Sequence, residues 1–121
     1  MKICVTAKGE GMEAQVDPRF GRCSYFVIVD TEKMEARSVE NESKTAASGA
    51  GVAASQTVAE QQVDGVATGN VGPNAFQAIN SAGMKVFVGA EGTVEETVQA
   101  FKNGELEEVE EPTTIGGHGK S

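Results

Sequence analysis

Residues 65–88 read GVATGNVGPNAFQAINSAGMKVFV, and this stretch sets the fold. Gly65 to Thr68 is a short strand and Gly69-Asn70-Val71-Gly72 a turn. Pro73 suits the first position of a helix, where its missing N–H costs nothing. Ala75, Phe76, Ile79 and Ala82 mark the buried face of that helix, Gly83 caps its end, and Lys85 to Val88 is the next strand. A strand, a helix and a strand in succession form a right-handed crossover with parallel strands. Upstream, Gly49 to Gln62 is rich in Ala, with Val52, Ala59 and Val63 at near-helical spacing, so a helix leads into the same unit. Downstream, Thr93 and Glu96 have the spacing of a capping box for a third helix with the apolar stripe Val94, Val98 and Phe101, ended by Gly104.

The chain before residue 41 reads as three strands. Lys2 to Ala7 is buried, and Ser24 to Asp30 (SYFVIVD), β-branched and aromatic, is covered on both faces. Met34 to Glu40 mixes Met34, Ala36 and Val39 with Glu35, Arg37 and Glu40, as a sheet edge does. The order βββαβαβα predicts an α/β domain of three layers, α/β/α, on a five-stranded mixed sheet of order 3-2-1-4-5 whose first, fourth and fifth strands are parallel. The ligand crevice of such a sheet lies at the carboxyl ends of strands one and four. Three segments converge there: the loop 8–22, the start of the first helix, and Gly69 to Pro73. Cys23 lies at the same end, because the second strand runs antiparallel to the first. Residues 1–104 are expected to form this single domain. Residues 105–121 begin with five carboxylates in the seven residues Glu105 to Glu111 and end in a Gly-rich run, which predicts a mobile tail.

The chain has 121 residues, enough for one core and too few for two. Its net charge of -8 argues against non-specific DNA or RNA binding, since phosphate backbones attract basic surfaces. The longest apolar run, Tyr25 to Val29, falls far short of the roughly 20 residues needed to cross a bilayer. The N-terminal apolar stretch is too short for a signal peptide, so the expected location is the cytoplasm, with Cys4 and Cys23 as free thiols and a monomer as the expected state. Hydrolytic chemistry is poorly supported, because G-x-S-x-G and H-E-x-x-H are both absent.

Several features carry candidate chemistry. Ser48-Gly49-Ala50-Gly51 opens a helix with free N–H groups and no bulky side chain, which suits either an anion or a plain cap with close helix–sheet packing. Gly69, Asn70 and Gly72 form a turn that lets backbone approach a ligand, or simply joins strand to helix. Arg19 and Arg22, two of three arginines, flank Cys23 in Asp17-Pro18-Arg19-Phe20-Gly21-Arg22-Cys23. Their guanidinium groups would stabilise a thiolate and fork onto an anion; the alternative is pairing with Asp17, Glu13 or Glu10. Cys4 reads as core. Cys23 is the better metal ligand, and His118, the only histidine, could swing over a bound metal or stay idle in its glycine tail.

Asp17 to Cys23, followed by Tyr25-Phe26-Val27-Ile28-Val29-Asp30, resembles the hallmark of the dinitrogenase iron–molybdenum cofactor biosynthesis family, which includes the NifX type and the C-terminal domain of NifB. Gly49 to Gln56 and Gly69 to Ala75 look like its second and third blocks, and the match spans residues 1–103. The resemblance implies a ribonuclease H-like domain that binds or carries iron–molybdenum cofactor, its precursors or a related metal–sulfur cluster without enzymatic turnover. It also implies protein partners that donate and accept the cluster. The lone His118 departs from the His-rich tails of some members. Fold alone transfers no nuclease activity, because activity resides in the site. Two other readings stay open: a regulatory or protein-interaction module of the same fold without a cluster, and a phosphate- or nucleotide-handling enzyme using the glycine turns.

Overall fold

The computed structural model describes residues 1–112, so His118 lies outside the described residues. The strands are β1 (Lys2–Ala7), β2 (Tyr25–Asp30), β3 (Glu35–Glu40), β4 (Gly65–Thr68), β5 (Lys85–Val88) and β6 (Glu107–Val109). The helices are α1 (Ala50–Glu60), α2 (Pro73–Ser81) and α3 (Val94–Lys102), and a 3-10 turn, Phe20–Arg22, precedes β2. The sheet order is β3-β2-β1-β4-β5-β6. As the crossovers require, β1, β4 and β5 are parallel, while β2, β3 and β6 each run antiparallel to the neighbour they join.

Alternate residues of the central strands feed two cores, as the period of a strand dictates. Cys4, Phe26, Ile28, Val66 and Val86 pack under α1 and α2 with Ala54, Val58, Ala75 and Ile79. Ile3, Val5, Val27, Val29 and Ala67 pack under α3 with Val94 and Val98. Both faces of β1 and β2 are therefore covered, which is why YFVIVD carries no polar alternation.

Three expectations need correction. Among the described residues the sheet has six strands rather than five, because the acidic segment does not leave the domain at residue 105: Val86 pairs with Val109, Phe87 with Glu108 and Val88 with Glu107. Leu106 and Val109 pack against the two opposite cores, and the carboxylates between them are exposed at an edge where charge does no harm. The face of α1 is also rotated from the expected one. Ala50, Ala54, Ser55 and Val58 are buried, whereas Val52 is 36% exposed. Small residues set that face because α1 lies close to α2, where a Cβ on Gly51 would stand 2.9 Å from the Cβ of Ala75. In α2, Ala75 and Ile79 are buried and Phe76 is half-buried as expected, but Ala82, expected on the same face, lies just past the last helical residue and is exposed.

The start of α3 is fully capped. The Thr93 hydroxyl accepts from the Glu96 N–H at 3.1 Å, and the Glu96 carboxylate accepts from the Thr93 N–H at 2.9 Å. The next amides, of Val94 and Glu95, donate to Ala14 O and Met12 O of the long loop. Thr93→Ala is expected to lower stability by about 1 kcal/mol in urea unfolding, and an unchanged midpoint would deny the cap any weight.

Candidate functional site

The loop leaving β1 returns across the ends of two strands, and buried polar groups hold it there. Asp17 N–H donates to Thr6 O at 2.9 Å, and the Thr6 hydroxyl donates to Asp17 O at 2.6 Å. Thr6 and Thr68, neighbours on β1 and β4, also share a hydroxyl–hydroxyl bond of 2.8 Å. Asn70 N–H donates to Pro18 O at 2.8 Å. Gly69 makes that approach possible, since a Cβ there would lie 2.5 Å from the Cβ of Pro18.

Beyond this crossing, a surface pocket of about 390 Å³ opens between the 3-10 turn and the starts of α1 and α2. Arg19, Arg22, Gly49, Gly51, Asn70, Gly72 and Asn74 line it, together with the exposed Val52. None of its lining residues is acidic, although the chain has eighteen Asp and Glu. The helix starts differ from that of α3. Gly49, with φ 75°, precedes α1 and Gly72 precedes α2; neither start has a side-chain cap or an acidic residue in its first turn. First-turn N–H groups have no intrahelical acceptor and carry the positive end of the helix dipole, so both starts favour an anion. The 3-10 turn sits directly on α1, where a Cβ on Gly21 would stand 2.9 Å from Gly51 N.

The two arginines are held differently. Arg19 Nε and Nη2 donate to the two carboxylate oxygens of Asp17, each at 3.1 Å, and Arg19 N–H donates to the same group at 3.0 Å. Arg22 Nη1 donates to Lys44 O at 2.9 Å and Ala46 O at 2.7 Å, which ties the segment before α1 to the pocket wall. The expected pairing of Arg19 with Asp17 therefore exists, and both arginines still line the pocket. Burial opposes charge on Asp17, but the hydrogen bonds and charge of Arg19 outweigh it and hold the carboxyl below its ordinary range.

Cys23 departs from expectation. It is fully buried, its thiol donates to Phe20 O at 3.3 Å, and it stands behind the pocket wall rather than in the lining. Burial first, then the charge of Asp17, pushes its pKa up to about 12, so the arginines do not hold it as a thiolate. Thiol reagents are therefore expected to leave Cys23 unmodified in the folded protein and to label it in urea. A group whose pKa rises on folding contributes stability below its unfolded pKa and loses it as pH climbs. The Cys23 contribution should accordingly fade as pH rises from 9 toward 12, so Cys23→Ser should flatten the alkaline loss of stability. Labelling at neutral pH without denaturant would contradict the buried, neutral thiol.

Of the sequence candidates, the pocket gathers Arg19, Arg22, Gly49, Gly51, Asn70 and Gly72. Ser48 is exposed and outside the lining, and Gly69 acts from behind by admitting Pro18. Sequence reasoning missed Asn74, whose position directly after the helix-starting Pro73 was the available signal. It also missed Asn41, a buried amide that donates to Cys23 O at 2.8 Å and Gly21 O at 3.2 Å and so supports the turn. Nothing in a polar stretch singles that residue out. Among the described residues, no group of three or more His, Cys, Asp or Glu could hold a metal ion, and no helix is long and apolar enough to cross a membrane.

Residues 1–104 match the sequence profile of the family described as dinitrogenase iron-molybdenum cofactor. The apo form of the orange protein from Desulfovibrio gigas is similar in structure, with a TM-score of 0.90 and 44% identity over 93% of this chain and 96% of that one. An NMR structure from Thermotoga, provisionally assigned as a NifB protein, gives a TM-score of 0.81 at 36% identity and covers 98% of each chain. An uncharacterized protein of Methanocaldococcus jannaschii is 28% identical over 99 residues, 79% of this chain and 84% of its own.

Proposed function

The chain belongs to the dinitrogenase iron-molybdenum cofactor family, and we propose that it is a binding and carrier protein for an anionic metal–sulfur cluster, either iron–molybdenum cofactor, a precursor or a related species. The observation that carries this reading is the convergence of two uncapped helix starts and two arginines on one acid-free pocket. Backbone N–H groups and guanidinium groups are hydrogen-bond donors and cannot ligate a metal. They fit a cluster whose metals already carry their sulfur ligands and whose outer atoms are negative. Charge-assisted hydrogen bonds of this kind hold the guest firmly yet break without a ligand-exchange step. Hand-over between donor and acceptor proteins in the cytoplasm, without turnover, is the role such a site serves best. Cys23 enters as the support of the turn that carries Arg22, and the metal-ligating role considered for His118 falls outside the described residues.

Equilibrium dialysis against tetrathiomolybdate, a molybdenum–sulfur dianion, tests this reading. One equivalent is expected to bind per chain, with affinity falling steeply as salt is added, because the contacts are electrostatic and the site is open. Protein isolated without oxygen is expected to contain molybdenum or iron together with sulfide. Absence of both binding and metal would favour the interaction module without a cluster.

A further inference from the structure

Resting on that reading of the pocket, we infer that Asp17 is a positioning residue: its buried carboxylate fixes the Arg19 guanidinium in the one orientation that presents its remaining N–H groups to the guest. Asp17 is only 2% exposed, whereas the Arg19 side chain is 65% exposed and would otherwise sample many rotamers. The residue that carries the carboxylate is anchored. Its backbone is bonded to Thr6 in both directions, and the following Pro18 is held by Asn70. The fork consumes Nε–H and one N–H of Nη2, and Asp17 also takes the Arg19 backbone N–H. Three of the five guanidinium N–H groups remain, on Nη1 and Nη2. Among the described residues Arg22 has no such clamp, since its side chain bonds two backbone carbonyls in the 44–46 segment. The two cations are thus unequal: one is aimed by a carboxylate, the other anchors chain.

Charge and position predict opposite signs here. Deleting a carboxylate beside an anion site should tighten anion binding by Coulomb's law. If Asp17 instead acts through Arg19, its loss should weaken binding. Asp17→Asn, which keeps the side-chain shape, is expected to bind tetrathiomolybdate about 10-fold more weakly. In an Arg19→Ala background the same change should leave affinity equal or raise it, because only the charge effect survives. In the ligand-free protein, the Arg19 Nε–H resonance should exchange slowly with water, and Asp17→Asn should remove that protection. Tighter binding by Asp17→Asn with Arg19 intact would overturn the inference, as would an unchanged Nε–H signal. Should Asp17→Asn fail to fold, Arg19→Lys keeps both Asp17 and the positive charge but loses the fork, and is expected to bind about as weakly as intended for Asp17→Asn; wild-type affinity in Arg19→Lys would contradict the role. Failure of the unmodified protein to bind would instead overturn the carrier reading, and the Nε–H signature then decides the clamp by itself.

Discussion

Removing both guanidinium groups, as Arg19→Ala with Arg22→Ala, is expected to weaken tetrathiomolybdate binding at least about 100-fold. A hydrogen bond to a charged group contributes roughly 1.5–3 kcal/mol, so two lost together amount to two or more powers of ten in affinity. The helix starts alone should retain a weak, strongly salt-dependent remainder. The single changes differ in their side effects. Arg22 Nη1 holds Lys44 O and Ala46 O, so Arg22→Ala should also loosen the segment leading into α1, visible as faster amide exchange there. Among the described residues the Arg19 side chain bonds only Asp17, and its loss leaves the buried carboxylate with the backbone N–H of residue 19 but without its cation, so Arg19→Ala should cost stability mainly above the ordinary carboxylate pKa. The sign follows from the depressed pKa: the stabilisation exists while Asp17 is ionised and disappears as pH falls through its folded value. Dialysis at fixed salt checks the affinities, and binding by the double variant within threefold of the unmodified protein would remove the arginines from the site.

Gly69→Val is expected to destabilise the fold by about 1–3 kcal/mol, as overpacking does, and to abolish binding in the fraction that remains folded. A Cβ at residue 69 would stand 2.5 Å from Pro18 Cβ, 2.7 Å from Pro18 Cα and 2.9 Å from Pro18 O. These are backbone and ring atoms that cannot rotate away. Either β4 or the Asp17-Pro18-Arg19 crossing must move, and the Asn70–Pro18 hydrogen bond is lost with it. Because Arg19 follows Pro18 directly, the displacement reaches the pocket. Gly9→Ala is the matched control, since its Cβ would meet Ala14 Cβ at an ordinary 3.7 Å and should change neither melting temperature nor affinity appreciably. Equal effects from the two changes would show that the crossing is not rigid.

Much of this architecture is legible in the sequence because the signals are local. Pro73 at a helix start, the Thr93–Glu96 box and the run from Tyr25 to Val29 each announce an element by spacing alone. The right-handed crossover then brings the α1 and α2 starts to one end of the sheet. What could not be read depends on packing between distant segments. The strand β6 has Val109 as its apolar residue, with Leu106 just before it, among carboxylates, so composition points to solvent while pairing with β5 points to the sheet. The rotation of α1 is set by Gly51 against Ala75, twenty-four positions away, which outweighs the inward preference of Val52. Cys23 beside two arginines suggests a thiolate in one dimension; in three, the side chain turns inward to Phe20 O while the arginines turn outward. Neighbours in sequence on a tight turn need not share a side.

In the proposed site an anionic cluster rests on two helix starts and two arginines without a bond from protein to metal. An amide map of isotope-labelled protein titrated with tetrathiomolybdate under anaerobic conditions tests this placement. The largest shifts are expected on the first-turn amides of α1 and α2 and on Asn70, with the Arg19 and Arg22 side-chain signals moving in step and α3 unaffected. Shifts centred on the capped start of α3, or on the acidic edge at β6, would contradict it.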